Sequence, residues 1–447
     1  MSASSKTPHD AADIERRLLS TLCGLPDFSQ LFIAYSGGLD SSVLLHAARR
    51  AWPAKTQIEA IHVHHGLSPN ADAWMEHCQT ECLSLDIACH THPVNVAAKG
   101  DSLEAAAREA RYRVFEHYLD KHAGAVLLQG HHQNDQAETI LFRLLKGHGV
   151  KGLAGIPSQR SLGKGMLRRP LLGFTRSELE VLAQRWDLSW VEDESNADAV
   201  FDRNFLRNEI LRPMSARWRN AVVMIAETGR RMSEAANLLD ELAEMDLQGR
   251  TVNADELELA VLSGLSPHRR KNALRYWLQA AGLTPSEGDL VEILAQMLHA
   301  EASRQPCYPL GESILRRHDG KLYITETIDA LPSEYEVVWP LAEALLTPVG
   351  RLIAEPVNEG LRQPAADETV IVRFRRGGER FRPKGRGGSC PLKKWLQEQN
   401  IPPWRRDSIP LIYFNDELAA VGSYSVAEQF AASDNAWLPA LHQPSSS

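Results

Sequence analysis

Along the first third of the chain, short apolar runs alternate with longer stretches whose apolar residues recur every three or four positions. The runs LFIAYS (31–36), IEAIHVHH (58–65) and AVLLQGHH (125–132) read as buried strands. Between them, 40–51, 70–86 and 102–120 carry helical spacing, and Leu103, Ala107, Ala110, Val114 and Tyr118 form one stripe in the last. Such alternation predicts an α/β fold, a doubly wound parallel sheet with crossover helices. Ligands of open sheets sit beyond the carboxyl ends of the strands. The three runs end in Ser-Gly-Gly, His-His-Gly and Gly-His-His, which points to one shared crevice.

Beyond this region the pattern changes. Residues 214–300 read as helical with no strand among them. Ser313 to Thr325 reads as a hairpin, because Asp319-Gly320 between two apolar-containing runs suits a type I′ turn. Then YEVVW, TVIVRF and IPLIYF predict short strands, with one helix near Leu392–Asn400, as in a small α+β domain; HQPSSS reads as a frayed tail. At 447 residues the chain is too long for one core. The expected division is 1–213, a mainly helical 214–330 and a small α+β 331–447.

Charge sharpens that division. The net charge of −8 argues against a nucleic-acid binder, yet Ile371–Asp407 holds 11 Lys/Arg against 3 Asp/Glu, and Ile225–Ala260 holds 3 against 9. A basic segment on an acidic protein can bind a polyanion; a solvated surface stretch would look the same. Six scattered cysteines form no disulfide framework. No secretory signal begins the chain and no apolar run approaches a membrane span, so a cytoplasmic protein with no membrane association is expected.

Ser36-Gly37-Gly38-Leu39-Asp40-Ser41-Ser42 is the strongest chemical signal. It follows a predicted strand and opens a helix, where backbone N–H groups and the helix N-terminus bind phosphate. Two glycines allow close approach, the serines add hydroxyl donors, and Asp40 can hold Mg²⁺. A Walker lysine is missing, so the P-loop reading fails; a plain strand–turn–helix corner could also use Gly-Gly. A second string, His131-His132-Gln133-Asn134-Asp135-Gln136-Ala137-Glu138-Thr139, enters a helix whose apolar face is expected at Ile140, Leu141, Leu144 and Leu145. Asp135 and Glu138 share one helical face, suited to Mg²⁺ or a cationic substrate, or simply to the helix dipole. Gly147–Gly152 matches GxGxxG but follows a helix, and His62, His64 and His65 lack partners at zinc spacing.

The first string resembles the pyrophosphate-binding loop of the N-type ATP pyrophosphatases (the PP-loop superfamily), which adenylate an oxygen, release pyrophosphate and let a nucleophile displace AMP. The second is similar to the HxxDDQxET motif of the tRNA(Ile)-lysidine synthases, with Asn134 where that pattern has its first aspartate. Glu104–Tyr112 resembles the family's EAARxxRY helix, and Glu192–Asn196 with Asp202–Arg207 resembles EDxSN…RNxxR. Glu104 and Arg108 could be an i,i+4 surface pair, which leaves Arg111 as the preferred phosphate ligand. Arg212, Arg217 and Arg219 read equally well as a solvated basic helix.

The basic stretch Val372–Ile409 interleaves arginine, lysine and aromatics around Gly-rich turns and is similar to the family's tRNA-recognising C-terminal domain. The resemblance implies ATP and Mg²⁺, L-lysine, and the isoleucine tRNA with a CAU anticodon, modified at C2 of its wobble cytidine. It implies ATP-binding by Ser36–Ser42 and His132, and catalysis by Asp40, Arg111, Asp135, Glu138 and Arg203. Metal would sit on Asp40 and Asp135. Binding of tRNA would fall to Arg203, Asn204, Arg207, Arg382, Lys384, Arg386, Lys393 and Lys394. A homodimer is compatible with the chain. Two other classes stay open: another PP-loop tRNA enzyme such as a 2-thiolase, disfavoured by the CxxxC of Cys78 and Cys82, and a non-catalytic RNA binder.

Overall fold

The computed structural model describes residues 10–52, 57–64, 66, 68, 70–94, 101–192, 202–247, 255–299, 306–326, 332 and 334–442. The chain divides into two compact units, 1–239 and 240–447.

In the first unit, α1 (Ala11–Cys23), β1 (Leu31–Ala34), α2 (Leu39–Ala51), β2 (Ile58–His64), α3 (Ala71–Ser84), β3 (Ala88–Pro93), α4 (Asp101–Lys121), β4 (Val126–Leu128) and α5 (Gln133–Leu145) follow in order. After α6 (Val150–Leu153) come β5 (Gln159–Leu162), β6 (Gly165–Arg168) and α7 (Arg176–Arg185). The sheet order is β3-β2-β1-β4-β6-β5. All pairings are parallel except β5 with β6. The expected parallel sheet therefore carries one antiparallel edge strand. Both β3 and the β5–β6 hairpin escaped the hydrophobic pattern, since β3 and β5 are edges with mostly half-wet or exposed side chains.

Alternation along β1 sends Leu31 and Ile33 into a core with Leu18 of α1, Leu44 of α2 and Leu182 of α7. Phe32 points the other way, to Phe115 and Leu119 of α4. Helices thus cover both faces. The chain steps from β1 to β2 and β3 in one direction, then returns across the sheet so that β4 lies on β1's other side. This reversal opens a crevice beyond the carboxyl ends of β1 and β4. Farther on, α8 (Asp202–Phe205) runs into a π-helical turn, Leu206–Leu211, then α9 (Arg212–Arg217) and α10 (Ala221–Leu247).

The second unit takes in the end of α10, whose Leu247 joins its core, and continues with β7 (Glu256–Glu258), α11 (Leu259–Ser263), α12 (Pro267–Ala280) and α13 (Glu287–His299). The strand β7 corrects the wholly helical reading of 214–300; only three residues long, it is fixed by pairing with β10 (Lys321–Glu326). The expected hairpin is present as β9 (Ser313–His318) and β10, with β8 (Cys307–Leu310) on its outer side. Asp319 (φ 45°) and Gly320 (φ 72°) form its turn. Toward the C-terminus, Val370–Arg373 and Leu411–Phe414 pair at the centre of a five-stranded sheet, and the helix Leu392–Glu398 buries Leu392, Trp395 and Leu396. Among the described residues, no helix is long and apolar enough to cross a membrane.

Candidate active site

The Ser36–Ser42 loop turns sharply at Gly37, whose φ of +81° and tight surroundings require glycine. A Cβ there would stand 2.9 Å from Cys78 Sγ and 3.1 Å from Val191 Cγ2. Gly130 lets the other side approach, since a Cβ on it would meet the Ser41 backbone nitrogen at 3.3 Å. The serines do not project as expected. Ser41 Oγ bonds the Gly38 carbonyl at 3.0 Å and accepts from the Ser36 N–H at 3.2 Å. Ser42 Oγ donates to the Gly37 carbonyl at 3.4 Å. Ser41 and Ser42 are buried and fix the loop's shape, and Ser36 Oγ accepts the Gly38 N–H at 3.4 Å, so what the loop offers an anion is the N-terminus of α2 rather than its serine hydroxyls.

Opposite the loop, His132 caps α5. Its Nδ1 accepts the N–H of Asn134 at 3.2 Å and of Asp135 at 3.4 Å, and Asp135 Oδ2 returns the bond to the His132 N–H at 2.9 Å. That leaves Nε2 of His132 3.5 Å from Asp40 Oδ2. Arg176, the first residue of α7, places Nη1 3.6 Å from the same oxygen. Asn134 Oδ1 accepts the Arg176 N–H at 3.0 Å and the Phe174 carbonyl accepts the Gln133 N–H at 2.8 Å, which ties α5 to α7. Asn134 is therefore an acceptor for a helix N-terminus, a task amide and carboxylate oxygens both perform. Three helix N-termini converge around Asp40, an arrangement favourable to anions.

Along α5 the structure inverts the expected faces. Ile140 is buried, but Leu144 and Leu145 are exposed, and the buried positions are Asp135, Ala137 and Glu138. The reason is a cluster of ions. Glu138, 1% exposed, accepts Arg203 Nε at 3.0 Å and Arg207 Nε at 2.7 Å, while Asp135 Oδ1 accepts Arg203 Nη2 at 3.0 Å. Burial disfavours the charge on Asp135, but His132 and Arg203 outweigh it and hold the carboxyl below its ordinary range. Arg203 and Arg207, expected to face tRNA, instead turn toward these carboxylates, and both oxygens of Asp135, an expected metal ligand, already accept hydrogen bonds. Asn204 lies beside Arg203 on α8, half-buried. Asp193–Asn196, the middle of the second signature, and the Glu104 side chain lie outside the described residues; Arg111 is half-buried on α4.

Several residues of the crevice had no motif of their own. Arg169, 4% exposed, donates through Nε to His131 Nδ1 at 3.3 Å, so that imidazole is neutral with its proton on Nε2. Burial, aided by Arg169, Arg203 and Arg108 against the pull of Asp135, pushes the His131 pKa down to about 3. Arg176 gave one readable sign: it follows Thr175 of a Thr-x-x-Glu capping box closed by Glu178. In the second unit, Arg382, Lys384, Lys393 and Lys394 are exposed; Arg386 pairs with Glu398 at 2.5 Å and Lys384 with Glu359 at 3.0 Å.

A phosphate-binding loop at the switch point of a parallel sheet, facing a capped acidic helix, defines an ATP-using PP-loop enzyme. Comparison with known proteins agrees. The PP-loop domain family matches residues 11–214, the TilS substrate binding domain 257–323 and the TilS substrate C-terminal domain 370–441. A tRNA(Ile)-lysidine synthase of Coxiella burnetii is 41% identical over 428 residues, covering 94% of each chain. One of Pseudomonas syringae pv. tomato is 40% identical over 436 residues, 95% of this chain and 94% of that one. Among solved structures, the U34-tRNA thiolase NcsA of Methanococcus maripaludis matches 50% of this chain and 79% of its own with a TM-score of 0.42 and 17% identity. The chain belongs to the tRNA(Ile)-lysidine synthase family, ATP-dependent ligases that act on tRNA.

Two expectations follow from this geometry. Arg207→Ala removes one of two cations from a buried carboxylate and should cost about 3 kcal/mol in denaturant unfolding; a loss under about 0.5 kcal/mol would mean the pair is solvated. His131 titrates near 6.5 in an unfolded chain but near 3 here, so the unfolded state binds the extra proton. Its contribution to stability is complete above about pH 6.5 and declines as the pH falls toward 3. Thermal unfolding at pH 7 and pH 5 should show a larger drop for the wild type than for His131→Gln.

Proposed function

We propose that this chain joins L-lysine through its ε-amine to C2 of the wobble cytidine of the CAU-anticodon isoleucine tRNA, by way of an adenylated tRNA, releasing pyrophosphate and AMP. The convergence of the Ser36–Ser42 loop and three helix N-termini on Asp40 carries this reading, because adenylation is a matter of holding phosphates and neutralising charge. Asp40 Oδ1 is buried and has no hydrogen-bond partner among the described residues, so Asp40 fits a Mg²⁺ ion. When bound, Mg²⁺ would offset the charge of the departing pyrophosphate. Arg111 and Arg176 are assigned to the phosphates, and His132 orients Asp40.

The attacking amine must be neutral although free lysine titrates near 10.4, so the site must desolvate it or accept its proton. Asp135 and Glu138 are assigned to the amine; in that case Arg203 and Arg207 must yield part of their hold as substrates enter. This ties the π-helical turn that carries Arg207 to the reaction. A thiolation reading gains nothing from Cys78, whose thiol burial pushes up to about 12. Residues 1–213 are assigned to catalysis, 214–330 to tRNA contact and 331–447 to tRNA binding through Arg382, Lys384, Arg386, Lys393 and Lys394. Six free cysteines suit a cytoplasmic setting.

Labelled lysine should enter a CAU-anticodon isoleucine tRNA only with ATP present, and should not enter an elongator methionine tRNA with the same anticodon. Pyrophosphate release without lysine transfer would retain adenylation and reject lysine as the nucleophile. Lys393→Ala with Lys394→Ala should weaken tRNA binding and flatten its salt slope by about 1.5, two phosphate contacts' worth; an unchanged slope would remove these lysines from the interface.

A further inference from the structure

On the β4–β6 side of the crevice, a second basic group surrounds Tyr112 of α4. Arg108 lies 4.9 Å from the centre of its ring and Arg160 of β5 lies 4.7 Å from it. Arg108 and Arg169 each donate to the Tyr112 hydroxyl at 3.4 Å, and that hydroxyl donates to Gln129 Oε1 at 3.1 Å. Arg169's remaining bonds go to His131 Nδ1 at 3.3 Å and to the Pro157 carbonyl at 2.7 Å.

None of these three arginines has a carboxylate partner among the described residues. The contrast is with Arg203 and Arg207, which face Asp135 and Glu138, and with Arg17, which holds Glu178 at 2.7 Å. A guanidinium as buried as Arg169, with neutral acceptors only and two further cations nearby, is costly to maintain in the absence of an anion. Such an expense of charge beside a crevice marks a binding site. Burial favours the neutral phenol of Tyr112, yet Arg108 and Arg169 hold its pKa below the ordinary value, a measure of the local positive potential.

The form of the site indicates which anion it takes. Arg108 and Arg160 are exposed while Arg169 backs them from the interior, so the positive surface is open along one side. An open surface of forks suits a polymer's phosphate passing over it better than a small carboxylate, which an enclosed pocket would hold. We propose that Arg108, Arg160 and Arg169, gathered on Tyr112, bind a backbone phosphate of the RNA strand adjacent to the reacting nucleotide. The inference rests on the tRNA reading above and adds to it the group that holds the strand beside the crevice.

The test uses the full-length protein and full-length tRNA carrying one uncharged methylphosphonate on either side of the target cytidine. For the wild type, one of the two substitutions should weaken binding about tenfold, the loss of one charge-assisted contact. Arg108→Ala with Arg160→Ala should lose about as much on natural tRNA and nothing more on the methylphosphonate. Both side chains are exposed, so the fold should survive, as thermal unfolding would verify. Additive losses, or equal binding of natural and modified RNA by the wild type, would overturn the proposal. A tenfold rise in the KM for lysine with tRNA binding unchanged would also overturn it and give the cluster to the lysine carboxylate. If wild-type protein fails to lysylate natural tRNA, the functional reading falls; normal lysylation with additive losses removes only this inference.

Discussion

When strand order reverses beside β1, the helices that follow β1 and β4 begin next to each other, and their N-termini face a common opening. The active-site region of this chain depends on that constraint. It brings Asp40 of α2 within 3.5 Å of His132, which caps α5, although 91 residues of sequence lie between them. The tie between Asn134 and the start of α7 adds a third N-terminus. Backbone dipoles are fixed by the fold and need no reorganisation when a charged ligand arrives, so the site is prepared for phosphate before any side chain moves.

Against that cradle stands an ionic cluster that the protein keeps buried. Glu138 is almost wholly shielded from water and bears its charge in the company of Arg203 and Arg207. Buried pairs of this kind contribute little net stability compared with apolar packing, yet breaking them is expensive. They hold the segment 202–211 against α5 in one arrangement. The open arginine group around Tyr112 differs in having no carboxylate partner among the described residues.

Charge is also divided along the chain. The acidic average conceals a basic stretch at 371–407, much of whose charge sits in exposed ion pairs such as Arg386–Glu398 and Lys384–Glu359. Exposed pairs exchange partners at small cost, so a polyanion can displace the carboxylates and recruit the same cations. Lys393 and Lys394 lie on the wet face of a helix whose other face buries Leu392, Trp395 and Leu396, which fixes their direction, and Lys394 stands 3.9 Å from Glu398 in an exposed i,i+4 pair.

Legible along the chain were the α/β class, the buried strands 31–34, 58–64 and 126–128, the helices between them, the 313–326 hairpin and the Ser36–Ser42 loop. Each has a local cause: alternation of apolar residues, helical spacing, a turn that needs positive φ, glycines next to a strand end. Tertiary structure decided what has no local cause. Edge strands β3 and β5 carry no apolar stripe, because one side of each is wet, and β7 exists only through its partner. The face of α5 could not be read from its leucines, because two distant arginines bury Asp135 and Glu138 in their place. Arg169 lacked a signature for the same reason, and Arg176 had only the capping box in which it sits. A charged side chain's role depends on which opposite charge the fold brings within about 4 Å, and sequence spacing carries that information only along a single helix or strand.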